Sequence, residues 1–252
     1  MVFHFAVFFW TLVFLLGLEV IAVNPIFPAW NWYFFSITPL VVISLIASKR
    51  LTNSFVDAFL PGLLSLTAPM LLSLIDHPTE RQLFVVVSAF MYYGALLGIF
   101  RLRNEKEDKT GQAFLNSAAI AGMFFFFTGV YGFYLNFSVP LWGLMLLCFL
   151  GTSLVSYETL VPVERRKDET QLHVYSLLLG LMMGELVWVM SFWPFGYLTT
   201  GAVLLIFYYI LWDVAFDAFR KKLIFKRAVF RLLFFFGLVF LLLFSSPWRI
   251  LV

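Results

Sequence analysis

Long hydrophobic runs follow one another along this chain and are separated by short polar gaps. About 20 apolar residues in a helix span the ~30 Å hydrocarbon core of a bilayer. The pattern therefore predicts an all-α bundle of nine transmembrane spans, at residues 2–23, 32–47, 55–74, 83–100, 114–135, 141–158, 172–192, 197–214 and 228–244. The second run is short and contains Pro39, so eight spans are the alternative.

The positive charges alternate with these runs. Fifteen of the 17 Lys and Arg residues follow the even-numbered spans, and Arg81 and Arg249 are the other two. Cytoplasmic loops keep the Lys/Arg excess, so the pattern predicts a cytoplasmic N-terminus and an external C-terminus. That orientation requires an odd number of spans.

Composition supports this class. The chain is 62% hydrophobic and 12% charged, whereas a soluble domain is about 45–50% apolar and ~25% charged. We expect one transmembrane domain over residues 1–252 with no soluble domain. The net charge of +3 is spread over loops, which favours a topogenic role and argues against a nucleic-acid partner.

Two acidic residues within predicted spans lie away from the cytoplasmic span ends: Glu185 in the seventh span and Glu19 in the outer third of the first. Ionisable groups at membrane depth are costly and are often functional. Removal from water favours the protonated form of a carboxyl, which can donate a hydrogen bond or carry a proton. Glu185 is therefore either a hydrogen-bonding group between helices or part of a polar site, and Glu19 is either solvated or shares that site.

Small residues recur every four positions in two spans. Ser176, Gly180 and Gly184 form one such row, and Gly94 with Gly98 forms another. Small side chains let helices approach closely within a membrane. Both rows therefore predict helix-packing faces.

The third span contains Pro61 and Pro69. Each proline removes a backbone donor and leaves a carbonyl that neighbours or water must satisfy. Broken helices line transport sites in some membrane proteins, whereas kinked helices also serve packing alone. Both interpretations stay open for this span.

A basic and aromatic segment follows the eighth span. Its cations are predicted to contact anionic head groups on the cytoplasmic side, or to act only in topology. They are Arg220, Lys221, Lys222, Lys226, Arg227 and Arg231. Glu158, Asp213 and Asp217 stand near cytoplasmic span ends, where we expect a solvated face.

Common catalytic motifs are absent from the sequence. No HExxH metal pair, GxSxG elbow, GxxxxGK[ST] loop or GxGxxG fingerprint occurs. Cys148 is the single cysteine and lies in a hydrophobic run, which excludes an internal disulfide. We expect no cofactor and no metal, and the pattern does not favour an enzyme.

Residues 185–212 contain a Glu and a Trp, then a Ser-Phe-Trp-Pro-Phe turn and a Tyr-Tyr-Ile-Leu-Trp ending. In this last third the chain resembles a group of small uncharacterised bacterial polytopic membrane proteins. The resemblance implies a multi-pass architecture in a bacterial inner membrane. It assigns no catalytic residue.

These observations favour a non-enzymatic membrane protein that acts as a structural or assembly component through helix and lipid contacts. Lipids, another membrane protein or a second copy of the chain are the expected partners. The alternative is a small-solute or proton-linked transporter that uses Glu185 and Glu19.

Overall fold

The computed structural model describes residues 2–23, 30–52, 56–105, 108–137, 139–161, 169–219 and 225–245. These residues form nine α-helices and one short 3₁₀ turn, with no strand. The helices are α1 (Val2–Val23), α2 (Trp30–Thr52), α3 (Phe59–Leu72), α4 (Pro78–Asn104), α5 (Lys109–Asn136), α6 (Leu141–Leu160), α7 (Glu169–Met190), α8 (Tyr197–Phe219) and α9 (Phe225–Ser245). The predicted all-helical class is confirmed.

Six helices are long and apolar enough to cross a membrane within the described residues. They are α1 over Phe5–Val23, α4, α5, α6, α7 over Thr170–Met190 and α8 over Tyr197–Ala218. The helix of the third predicted span is shorter than expected: α3 has 14 residues, or about 21 Å. The count of nine spans and their orientation stay predictions.

Several helices extend beyond their apolar runs. The run at 83–100 becomes α4 (Pro78–Asn104), because polar residues at both ends continue the helix. Pro78 starts α4, where a missing N–H costs nothing, and Arg101 and Arg103 lie in the last turn beside the negative end of the helix dipole. Hydrophobicity alone marks only the middle of such a helix.

The chain forms two compact units, Met1–Phe126 and Phe127–Val252, and the boundary falls inside α5. In the first unit, α1 packs against α4, α2 and α3. Its core includes Phe14 of α1, whose ring stacks on Tyr92 of α4 with 4.1 Å between centroids. This stack joins the first and fourth helices.

In the second unit, α7 packs against both α6 and α8, and α8 packs against α9. Leu160 and Leu172 form a buried contact near the Leu160 end of α6. The Tyr131 hydroxyl donates a hydrogen bond of 3.1 Å to the Met190 carbonyl. The same carbonyl, at the end of α7, also accepts the Trp193 N–H at 3.1 Å.

Candidate functional site

Glu185 lines an open groove formed by three helices of the second unit. Its carboxylate has no hydrogen-bond or ion-pair partner among the described residues. The groove has a volume of about 390 Å³, and its other lining residues are all apolar. They are Met182, Leu186 and Val189 of α7, Phe207, Ile210 and Leu211 of α8, and Leu232 and Phe236 of α9.

The spacing of the α7 residues explains why they share one wall. Positions 182, 185, 186 and 189 follow the i, i+3, i+4, i+7 pattern that places side chains on one face of a helix. The Ser176, Gly180 and Gly184 row lies on neighbouring positions and presents a different face. One helix thus carries a small-residue packing face and a groove wall with an acid in it.

Glu19 has a different environment. It is half-buried in α1, and its Oε1 accepts a hydrogen bond of 2.8 Å from Gln82 Nε2 of α4. A neutral amide therefore holds this carboxylate, and both residues belong to the first unit. The expectation that Glu19 and Glu185 share one polar pocket stays a prediction.

Gly180 is where α6 and α7 approach each other most closely in the α7 row. A Cβ at this position would clash with Ser153 Oγ and would lie 2.6 Å from the Phe149 carbonyl oxygen of α6. At Gly184 the corresponding atom would be 3.4 Å from the Met145 carbonyl oxygen, an ordinary contact. The row is thus in contact with α6, but only Gly180 requires the absence of a side chain.

Gly98 allows a similar approach between α4 and α5. A Cβ there would lie 2.7 Å from the Leu115 backbone nitrogen and 2.9 Å from the Gly111 carbonyl oxygen. At Gly94 the nearest atom would be 3.9 Å away, on the Phe114 ring. In this row too, one glycine lies against backbone and the other has room.

Hydroxyl groups surround Pro61 in the interior of the first unit. The Pro61 carbonyl accepts hydrogen bonds from Ser65 at 2.8 Å and from Ser44 at 3.2 Å. The Ser44 hydroxyl is also in hydrogen-bond contact with the Ser65 hydroxyl, and its oxygen lies 2.8 Å from the Tyr92 hydroxyl oxygen. These hydroxyl contacts link α2, α3 and α4 in the interior, and a functional role for the prolines stays a prediction. Pro69 is also buried in α3, and its carbonyl accepts the Ser73 N–H at 3.1 Å.

Arg231 joins α8 to α9. Its Nη2 donates to Asp217 Oδ2 at 2.6 Å, and its Nη1 donates to Asp213 Oδ2. Two carboxylates one helical turn apart thus hold one guanidinium, and we call this group the Arg231 clamp. Arg220, Lys221 and Lys222 lie outside the described residues, as do the side chains of Lys226 and Arg227. Head-group contact by these cations stays a prediction.

The prediction that Glu158 is solvated is wrong. Its residue surface is only 3% exposed, because α6 continues to Leu160 and its last residues, Thr159 and Leu160, are buried along with it. Nearby, Trp212 Nε1 donates to Thr159 Oγ1 at 3.1 Å, and Ser156 lies 3.5 Å from the Tyr208 hydroxyl. The signal was available in the sequence: Thr152, Ser156 and Thr159 are spaced four and three residues apart, as on a polar helix face.

The described residues contain no group of three or more His, Cys, Asp or Glu side chains that could hold a metal ion. The polar contacts that the structure shows are mainly hydroxyl bonds within the helical interior, and charged pairs near helix ends. These contacts define the class of protein: an all-helical chain with long apolar helices that are joined by internal polar bonds.

The chain matches the family described as "Protein of unknown function (DUF5656)" over residues 37–246, and it belongs to that family. The match includes the groove, the Arg231 clamp and the helix row at Gly180. No curated protein and no solved structure matches the chain.

Proposed function

We propose that this protein is a multi-pass component of a bacterial inner membrane, without enzymatic activity, that supports membrane structure or assembly through helix and lipid contacts. The proposal includes nine spans, a cytoplasmic N-terminus and an external C-terminus. Six helices that are long and apolar enough to cross a membrane support this count. The remaining three would be α2, α3 and α9.

One observation carries the proposal: large apolar side chains face outward while hydroxyl groups are buried. Phe5, Trp142 and Phe244 are 70%, 70% and 80% exposed, whereas Ser44, Ser65 and Ser156 are 0% exposed. Exposed apolar surface of this extent marks a membrane or protein interface. In lipid, buried hydroxyl groups serve to join helices.

The experiment is isolation of the full chain in a mild detergent, followed by mass spectrometry of the intact particle. We expect co-purifying lipid together with a partner protein or a second copy of the chain. A monodisperse monomer that retains neither lipid nor protein contradicts the proposal. A reporter fused to the C-terminus tests the orientation, since a periplasmic enzyme is expected to be active there and a cytoplasmic fluorophore is not.

Proton-linked transport is the second candidate, and the unpaired Glu185 carboxylate in its groove favours it. Vesicles that contain the wild-type chain or Glu185→Gln would be compared for solute-dependent proton flux. Transport predicts loss of flux in the variant with unchanged thermal unfolding. Equal flux in the two proteins removes Glu185 from any transport mechanism.

A further inference from the structure

The groove of α7, α8 and α9 combines an apolar wall with one unpaired acid. We propose that it binds a bilayer lipid with a primary ammonium head group, phosphatidylethanolamine, with the ammonium against Glu185 and an acyl chain along the wall. This inference rests on the proposed membrane placement of the chain. It adds a specific ligand and a specific residue to the general lipid contacts proposed above.

The size and lining of the groove fit a hydrocarbon chain. Its volume of about 390 Å³ falls within the ~300–1,000 Å³ range of small-molecule sites. The α7 wall runs from Met182 to Val189, about 10 Å along the helix axis. Three helices supply apolar side chains to it. An acyl chain in the groove would therefore leave the surrounding lipid tails and pack against these side chains instead.

The charge of the groove selects the head group. Glu185 offers a carboxylate, and no described cation neutralises it. Arg231 directly precedes the wall residue Leu232, but its guanidinium is held by Asp213 and Asp217. A ligand that brings its own cation and N–H donors therefore complements the site, since charge-assisted hydrogen bonds to carboxylates are the strong ones.

The depth of Glu185 suits a lipid head group. It lies five residues before Met190, the end of α7, which is about 7.5 Å along the axis. The following turn contains Trp193, whose ring lies 5.7 Å from that of Phe195. Because Trp residues are enriched at the membrane interface, the carboxylate lies within reach of that level.

The test is a binding titration of the full chain in mild detergent, read by mass spectrometry of the intact protein. The three lipids are phosphatidylethanolamine, phosphatidylcholine and phosphatidylglycerol with identical acyl chains. Phosphatidylcholine keeps the positive charge but has no N–H donor, and phosphatidylglycerol is anionic. We expect the wild-type chain to prefer phosphatidylethanolamine over both, a comparison that needs no variant.

Two variants and one control locate the site. Glu185→Gln is expected to weaken phosphatidylethanolamine binding about 10-fold and to remove the preference. Leu211→Trp, which fills the groove, is expected to weaken binding of all three lipids. Glu80→Gln alters an exposed acid at the start of α4 and is expected to change nothing.

Contrary results are distinct from failure of the proposed function. Equal binding of the three lipids, or an unchanged preference in Glu185→Gln, overturns head-group recognition at this site. If Leu211→Trp binds the lipids as well as the wild-type chain does, the groove is not the binding site. If the wild-type chain is a dimer and Glu185→Gln is not, the groove binds a second copy of the chain instead. Each of these leaves general lipid association standing, whereas a wild-type chain without lipid or protein contradicts the proposed function itself.

Discussion

The second unit joins its helices in two different ways. Where α6 meets α7, Gly180 brings the backbones together without any charge. Where α8 meets α9, the Arg231 clamp uses one cation and two carboxylates, whose side chains are 35%, 20% and 26% exposed. The first contact depends on shape and excludes a side chain, whereas the second depends on charge at a partly open position. The stability of the first contact should therefore depend on side-chain volume, and that of the second on salt and pH.

The largest effect is expected at Gly180. Gly180→Ala places a methyl group 2.6 Å from the Phe149 carbonyl oxygen, and that backbone atom can move away only if α6 moves. Overpacking of this kind costs about 1–3 kcal/mol. Thermal unfolding in detergent would measure the loss.

Gly184→Ala is the matched control on the same face. There the methyl group meets ordinary contacts at 3.4 Å and 3.7 Å, and alanine favours a helix over glycine by about 1 kcal/mol. We expect unchanged or slightly raised stability. Equal losses in the two variants would show that the row tolerates no side chain anywhere, so the specific importance of Gly180 would be wrong.

The next effect is expected at the Arg231 clamp. Arg231→Gln leaves Asp213 and Asp217 facing each other without a cation, and we expect a loss of about 1–2 kcal/mol. Salt should lower the wild-type melting temperature but slightly raise that of the variant, because ions screen the attraction in the first and the repulsion between the two carboxylates in the second. Spin labels on α8 and α9 would report whether the helices separate.

A charge-free version of the same clamp provides the control. The triple variant Arg231→Gln, Asp213→Asn, Asp217→Asn should recover most of the stability, since no uncompensated charge remains. If the triple variant is as unstable as Arg231→Gln alone, the guanidinium contributes through packing. The Arg231 clamp would then not differ from the Gly180 contact in depending on charge.

The sequence predicts the shape-dependent contacts better than the charged ones. Apolar run length indicates where α5, α6 and α7 lie, and four-residue spacing of small residues indicates the faces that contain Gly180 and Gly98. Both are local patterns in the chain. The order and type of the helices can therefore be inferred before any contact is known.

Charged partners depend on the fold. Arg231 counts as a loop cation in the charge pattern, yet it lies within α9 and reaches two acids on α8. Glu158 counts as a solvated end residue, yet it is buried because α6 runs two residues past the predicted end. A shift of two residues moves a helix end by about 3 Å, which is enough to place a predicted end residue inside the packed helix, and hydrophobicity does not fix ends that accurately.

The smallest effect is expected at a charged contact just beyond the predicted span at residues 83–100. Arg101 Nε donates to Asp108 Oδ2 at 2.5 Å between α4 and α5. Burial raises the pKa of Asp108, but hydrogen bonds from Arg101 and from the Gly111 and Thr110 backbone N–H groups outweigh burial and hold that pKa below its usual value.

A lowered carboxyl pKa in the folded chain adds stability above the unfolded value of about 3.9 and loses it as the pH falls through the folded value. Asp108→Asn should therefore melt slightly below the wild-type chain at pH 6, and the gap should close as the pH falls below about 4. Glu105→Gln, at an exposed neighbouring position, serves as the control and should show no such convergence. If the difference in melting temperature between Asp108→Asn and the wild-type chain does not change with pH, the Asp108 side chain acts through hydrogen bonds that do not need its charge. The contact at this helix end would then resemble the Gly180 contact more than the Arg231 clamp.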